Sequence, residues 1–310
     1  MTAQRRVAAL DCGTNSLRLL IADAADGRLV DVTRQMRIVR LGQGVDRTGK
    51  LAPEALERTR AALVDYAAEI ETAHVDAVRM VATSAVRDAG NREEFEAMVH
   101  ELVGVRPDVV SGDAEARLSF SGAVSVPAIA DRADVLLTDI GGGSTELILG
   151  RAETAQVSAA VSMDVGSVRL TERHFADDPP TARQISAVET DVHAALDTAS
   201  ELLPLDTAAT LVGVAGTVTT LAGIVLGLPR YDAARIHGAR LSTPDLEASI
   251  DELLGMSREQ RAAIGVLHPG RVDIIAAGAV VLRTIVRRVG AAEIVVSEHD
   301  ILDGIAMTLV

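Results

Sequence analysis

One cysteine, no tryptophan and an aromatic content of 2% are what this sequence has least of. A single thiol, Cys12, allows no intrachain disulfide and no multi-cysteine zinc or iron–sulfur centre. The scarcity of aromatic rings argues against platforms for stacking nucleic-acid bases. Basic residues are also short. Lys and Arg number 30 against 44 Asp and Glu, a net charge of −14, so the footprint of a general nucleic-acid binder is missing. The 7 histidines form no HExxH or other paired metal spacing. His268 and His299 read as capping or packing residues. No Gly-x-Ser-x-Gly elbow is present, so a serine hydrolase lacks its nucleophile context. The apolar run Val7-Ala8-Ala9-Leu10 before Asp11 is too short for a signal-peptide core. Together with the lack of paired cysteines, that points to the cytoplasm. The charge-free stretch Thr207–Pro229 has the length of a membrane span. Gly213, Gly216, Gly223 and Gly227 interrupt it, and a buried strand, a glycine turn and a buried helix fit it better. No membrane association is expected.

What is present is an ordinary apolar content of 48% over 310 residues, enough for about two domains with substantial cores. Residues 6–23 read as strand, glycine turn, strand, and Leu29–Leu41 continues in short apolar-alternating runs. Pro53–Glu71 reads as a helix with proline suited to its first turn. Val78–Ala82 reads as a buried strand, and Asn91–Val103 has helical spacing. Val109-Val110 closes a strand, and Gly112-Asp113 opens a helix. Val135–Gly150 is again strand, glycine turn, strand. Thr171–Leu203 is mostly helical, broken at Asp177-Asp178-Pro179-Pro180. Later strands fall near Leu211 and Ile294, with helices near Glu247, Ile274 and Ile301. Strands alternating with helices imply an α/β chain with mixed sheets.

One segment occurs twice. Asp11-Cys12-Gly13-Thr14-Asn15-Ser16-Leu17-Arg18-Leu19-Leu20-Ile21 aligns without gaps on Asp139-Ile140-Gly141-Gly142-Gly143-Ser144-Thr145-Glu146-Leu147-Ile148-Leu149. Each copy is an apolar strand ending in Asp, a short Gly/Ser/Thr/Asn turn and a second apolar strand, which is hairpin chemistry. Turns of this kind can aim several backbone N–H groups at one point and so favour an anion. Two copies imply two related domains facing one another across a cleft. Gly44-Val45-Asp46-Arg47-Thr48-Gly49-Lys50 imitates a Walker A loop. Leu51 stands where the Mg2+-binding Ser or Thr would be required, so that reading is set aside.

The paired turns resemble the phosphate loops of the actin, Hsp70 and sugar-kinase superfamily. The wider pattern resembles the exopolyphosphatase and guanosine pentaphosphate phosphohydrolase family. Asp11–Arg18, Thr83–Ala89, Ser111–Leu118, Asp139–Glu146, Gly166–Glu172 and Gly213–Thr217 stand in that family's order. The resemblance implies two actin-like (ribonuclease H-like) α/β domains, with mixed sheets flanked by helices and the active-site cleft between them. The first would span 1–124 and the second 125–310, with a final helix at about 300–310 returning to the first. Two departures stand out. Ala114 replaces the first of two adjacent glutamates, and Asp300-Ile301-Leu302-Asp303-Gly304 stands where the family often shows Gly-Leu-Arg-Glu-Gly.

By the same resemblance, Glu115 is the catalytic residue, a base that activates water. The Ser-Gly-Asp before it is cap-like and places it in a helix's first turn, where the dipole favours a carboxylate. Phosphate would be held by Gly13, Thr14, Asn15, Ser16, Arg18, Arg87, Gly141, Gly142, Gly143, Ser144, Gly216 and Thr217, with Arg169 as a further candidate. Asp139, Glu146 and Asp11 would hold Mg2+ or Mn2+, since a carboxylate at a strand end is a natural partner for the ion. Cys12 reads as a core residue. The implied substrate is inorganic polyphosphate, cut at its terminal phosphate, with guanosine pentaphosphate as the alternative. A non-catalytic sensor of a phosphorylated ligand is the remaining reading. Apolar helix faces are compatible with a homodimer.

Overall fold

The computed structural model describes residues 5–25, 28–124, 129, 134–205 and 210–310. The chain divides into two compact units, Met1–Gly122 with Ile301–Val310, and Ala123–Asp300. The expected boundary after residue 124 adjoins 125–128, which lie outside the described residues, as do 207–209 of the charge-free stretch.

In the first unit the apolar run at Val7–Leu10 becomes the middle of strand β1 (Arg5–Cys12), which pairs antiparallel with β2 (Ser16–Ala25), itself antiparallel to β3 (Arg28–Ile38). The runs at 29–41 thus form one long edge strand as far as Ile38. Helices α1 (Val45–Thr48) and α2 (Pro53–Thr72) follow, then β4 (Ala77–Ala82), α3 (Ser84–Asp88), α4 (Arg92–Val103), β5 (Asp108–Val109) and α5 (Gly112–Ala123). The sheet order is β3-β2-β1-β4-β5, with β4 parallel to β1 and β5 parallel to β4. The two-residue period of a strand splits β1 between two cores. Ala8, Leu10 and Cys12 pack with Leu63 and Tyr66 of α2 and Phe95 and Val99 of α4. Val7 and Ala9 face the other way, against Ile301, Leu302, Ile305 and Ala306 of the C-terminal helix, Ile301–Met307. The Walker-like segment folds as the single turn α1 between Gly44 (φ 76°) and Gly49 (φ 65°), with Leu51 buried behind it.

The second unit repeats the plan. Strands β6 (Val135–Ile140), β7 (Thr145–Arg151) and β8 (Gln156–Met163) form an antiparallel meander. Helices α6 (Ser167–His174) and α7 (Ala182–Ser200) precede β9 (Thr210–Val214) and α8 (Ala215–Val225). Then come α9 (Ala233–Ile236), β10 (Arg240–Ser242), α10 (Thr243–Gly255), α11 (Arg258–Ala262), α12 (Ile275–Val289) and β11 (Glu293–Val296). The order is β10-β11-β9-β6-β7-β8, with β9 parallel to β6 and β11 parallel to β9. Helix α6 begins at Ser167, four residues before the helix read from the sequence, because Gly166–Glu172 is its first turns. β9 is wholly buried and α8 largely so, as the apolar stretch at 207–229 requires. Among the described residues no helix is long and apolar enough to cross a membrane. Both sheets are mixed and flanked by helices, the α/β arrangement of the actin-like fold.

Candidate active site

In the first unit the parallel strands β1, β4 and β5 end at one edge of the sheet, where α/β folds place their ligands. The turn after β1 is closed by Gly13 N–H donating to Ser16 O at 3.0 Å. Its carbonyls are held from behind. Asn15 O accepts from Val39 N and Arg40 N, and Thr14 O accepts from Gly42 N. Gly42 has to be glycine, since a Cβ there would lie 2.3 Å from Thr14 Cγ2. Thr14 shares a 2.9 Å hydrogen bond with Ser84, the first residue of α3 after β4. Asp11 and Arg18 are direct cross-strand partners. Arg18 donates from Nε (2.9 Å) and Nη2 (2.7 Å) to Asp11 Oδ2, so its guanidinium spans its own hairpin.

Glu115 lies in the first turn of α5, where Ser111 Oγ accepts from Ala114 N and Ser111 O from Glu115 N. Only 8% of Glu115 is exposed. Arg87 Nη1 donates to Glu115 Oε2 at 3.0 Å and to Val110 O at 3.1 Å. The arginine therefore holds both the carboxylate and the strand end that leads into its helix. Cys12 is fully buried, and burial, with the neighbouring Asp11 charge, pushes its thiol pKa well up. It stays neutral, a core residue.

In the second unit the turn after β6 has the same closure, Gly141 N–H donating to Ser144 O at 3.0 Å. Asp139 and Glu146 are cross-strand partners at the register that Asp11 and Arg18 occupy in the first unit. Both are buried, and opposed residues project from the same face of a sheet. Ser162, opposite Glu146 on β8, donates to Glu146 Oε1 at 2.7 Å. The N-terminal turn of α6 grips the carbonyls of the glycine triplet. Gly141 O accepts from Ser167 N, and Gly142 O accepts from Val168 N and Arg169 N. Arg169 Nε donates to Gly143 O at 2.7 Å. Gly166 passes so close that a Cβ would sit 2.5 Å from Gly142 O.

The third turn joins β9 to α8 through Ala215, which adopts the left-handed φ of 66° that non-glycine residues avoid. Arg271 lies on Gly216, where a Cβ would fall 2.1 Å from its Cζ. It donates to Gly216 O at 3.4 Å. Thr217 is buried, and Gly278 of α12 passes close enough that its Cβ would meet Thr217 Oγ1 at 2.7 Å. His268 caps its own turn by accepting from Gly270 N, and burial with the nearby Arg271 lowers its pKa. His299 stacks on His237, ring centroids 4.7 Å apart.

Sequence reasoning missed Ser84, Ser162 and Arg271. Ser84 lies within the Thr83–Ala89 motif, so a signal for it exists. Ser162 and Arg271 carry none, because strand register and tertiary packing bring them in. Among the described residues no group of three or more His, Cys, Asp or Glu gathers as a metal cage. The pair Asp139 and Glu146 still fits Mg2+, which keeps several waters and is commonly bound by one or two carboxylates together with substrate phosphates. Asp11 differs, since the cation it meets is Arg18.

The sequence profile of the Ppx/GppA phosphatase family matches residues 20–310. Exopolyphosphatase 2 of Mycobacterium tuberculosis is 49% identical over 320 aligned positions, 99% of this chain and 99% of its own. A crystal structure of an exopolyphosphatase from Cytophaga hutchinsonii superposes with a TM-score of 0.91 at 25% identity, covering 98% of this chain and 97% of that one. The Aquifex aeolicus member of the Ppx/GppA family gives 0.81 at 30% identity, covering 99% and 97%. The likeness runs through both units and all three turns rather than through isolated motifs, and the chain belongs to the Ppx/GppA phosphatase family.

Proposed function

We propose that this chain is an exopolyphosphatase, a phosphoanhydride hydrolase that releases terminal orthophosphate from inorganic polyphosphate. One observation carries the mechanism: a buried carboxylate, Glu115, is fixed by Arg87 at the strand ends that also present the first phosphate turn. The likeness to an enzyme named exopolyphosphatase at 49% identity supports the substrate.

Glu115 orients a water against the terminal phosphorus and takes its proton as the oxygen–phosphorus bond forms. The bridging P–O bond on the far side breaks, and the shortened chain leaves with the electron pair. Arg87 keeps the Glu115 carboxylate in one place, so the base needs no reorganisation. Thr14–Ser16 and Gly142–Ser144, in turns closed by the Gly13 and Gly141 N–H groups, offer N–H and hydroxyl donors to the phosphate oxygens. Gly216 and Thr217 add a third donor turn. Asp139 and Glu146 would hold Mg2+ or Mn2+, which when bound would offset charge on the phosphate oxygens. Ser162 fixes the orientation of Glu146. Asp11 acts beside this set, with Arg18 divided between it and the phosphates.

The test is orthophosphate release from long-chain polyphosphate, short-chain polyphosphate and guanosine pentaphosphate in parallel, with and without a chelator. Release from polyphosphate, abolished by chelation and reduced about 10²–10⁴-fold in Glu115→Gln, is expected. Release from the nucleotide alone moves the substrate assignment. Full turnover by Glu115→Gln removes the mechanism, and tight binding without release of any kind makes the protein a sensor.

A further inference from the structure

The C-terminal helix returns to the first unit and is buried from Ile301 to Ala306. It lies on the sheet face opposite α2 and α4. Arg34 of β3 clamps it, donating from Nη1 (3.1 Å) and Nη2 (2.6 Å) to the two oxygens of Asp303. The next residue, Gly304, meets the backbone of α5. A Cβ at Gly304 would sit 1.9 Å from Leu118 O, 2.7 Å from Leu118 C and 2.9 Å from Ser121 Oγ. Ser121 Oγ itself donates to Leu118 O, so the contact point is the helix backbone with its own side-chain bond. Leu118 is three residues after Glu115, one turn along the same helix.

From this crossing we infer that Gly304 is a positioning residue for Glu115: the bare Cα of the C-terminal helix is the stop against which α5 rests. The inference relies on the reading of Glu115 as the base. Helix α5 moves as a rigid element, so a side chain at 304 displaces Glu115 together with Leu118. Arg87 does not follow. It sits on α3, whose start is held by Thr83 N donating to Cys12 O, and it is tied to Val110 O. A side chain at 304 therefore breaks the register between base and clamp while leaving the phosphate turns in place. Within the segment at 300–304, which keeps the pattern's final glycine and lacks its arginine, each of the last three residues thereby acquires a task. Leu302 is buried in the core, Asp303 takes the clamp and Gly304 sets the helix height.

Gly304→Ala and Asp303→Asn are to be compared by kcat, KM, thermal midpoint and amide exchange along 115–119. Asp303→Asn loosens the same helix without a wedge. Gly304→Ala is expected to lower kcat about 100-fold, the usual cost of an ångström of misplacement, with KM within about threefold and faster exchange in α5. Asp303→Asn is expected to lower the thermal midpoint and keep kcat within about threefold. Equal loss of kcat in both variants, or unchanged kcat and α5 exchange in Gly304→Ala, overturns the inference. Glu115→Gln is run beside them. Should it keep turnover, the base reading falls by itself, and α5 exchange in Gly304→Ala still decides what Gly304 does. Should Gly304→Ala not fold, Ser121→Val puts a methyl into the same crossing and is judged by the same outcomes.

Discussion

Gly166→Ala isolates the support of the glycine-triplet turn from every charged group. Gly166 has φ −152° and ψ 164°, extended backbone that alanine adopts freely, so backbone strain plays no part. The whole effect is steric. The added Cβ would lie 2.5 Å from Gly142 O, 2.6 Å from Gly142 C and 2.7 Å from Gly143 C. All three are backbone atoms, and none can swing aside as a side chain does. Reaching an ordinary contact near 3.4 Å requires a displacement of about 0.9 Å. Overpacking of that kind costs about 1–3 kcal/mol of stability. Part of it is relieved if the turn moves, and that movement takes the phosphate donors proposed at Gly142–Ser144 out of place by the same amount. The rate then falls about 100-fold, equivalent to about 2.7 kcal/mol of barrier. The measurements are kcat for orthophosphate release at saturating polyphosphate and the urea midpoint. Gly255→Ala is the control, because a Cβ at that helical position meets nothing within 4 Å. It is expected to leave kcat unchanged and to raise stability by up to about 1 kcal/mol. A Gly166→Ala protein with kcat within about threefold of the parent and the same midpoint would refute the idea that the triplet is held at a fixed height.

Three further outcomes follow from contacts already described or adjacent to them. Ser162→Ala removes the donor to Glu146 and is expected to raise the Mg2+ concentration needed for half-maximal activity about tenfold, in line with losses of outer-shell partners at metal sites; a Mg2+ titration of the rate reads it. Arg283, buried on α12, donates to Asp251 of α10 and Glu189 of α7. Both carboxylates retain water access, so Arg283→Ala is expected to cost about 2–3 kcal/mol in urea unfolding rather than the full cost of breaking a buried pair. Cys12 is expected to resist thiol reagents in the native protein and to react fully in urea, and native labelling at the rate of a free thiol would contradict its buried, protonated state.

Much of the framework is legible because its signals are local. Pro53 opens α2, Gly112-Asp113 opens α5, and the apolar runs on either side of the glycine triplet give both strands of the second hairpin. The repeated Asp-to-apolar segment exposes the shared plan of the two sheets before any tertiary contact is known. What stays hidden depends on register and on distance along the chain. The pairing of Arg18 with Asp11 follows from which residues face each other across a turn, and composition does not encode that. No strand is read over 156–163, so Ser162 has no place opposite Glu146 until β8 exists. Arg271 reaches Gly216 from 55 positions away, and Gly304 reaches Leu118 from the far end of the chain. Small residues at such crossings look unremarkable in a sequence, since their role is to be absent from space that a backbone occupies.

The two hairpins differ at one register position, and the difference sets an order of events. Where the first has an acid opposite an arginine, the second has an acid opposite an acid. A polyanion can approach the first hairpin directly, because the guanidinium already balances the carboxylate. At the second it would meet two carboxylates side by side, a repulsion that a divalent ion held by Asp139 and Glu146 would offset. Cation and phosphate chain are then not independent ligands. Under the proposed function each would make room for the other at Asp139 and Glu146, and the second hairpin would take up the metal–polyphosphate complex. A single exchange of arginine for glutamate between two copies of one hairpin thus reverses the charge that faces the acid across the strand pair, and with it what an incoming polyanion would need before it can settle there.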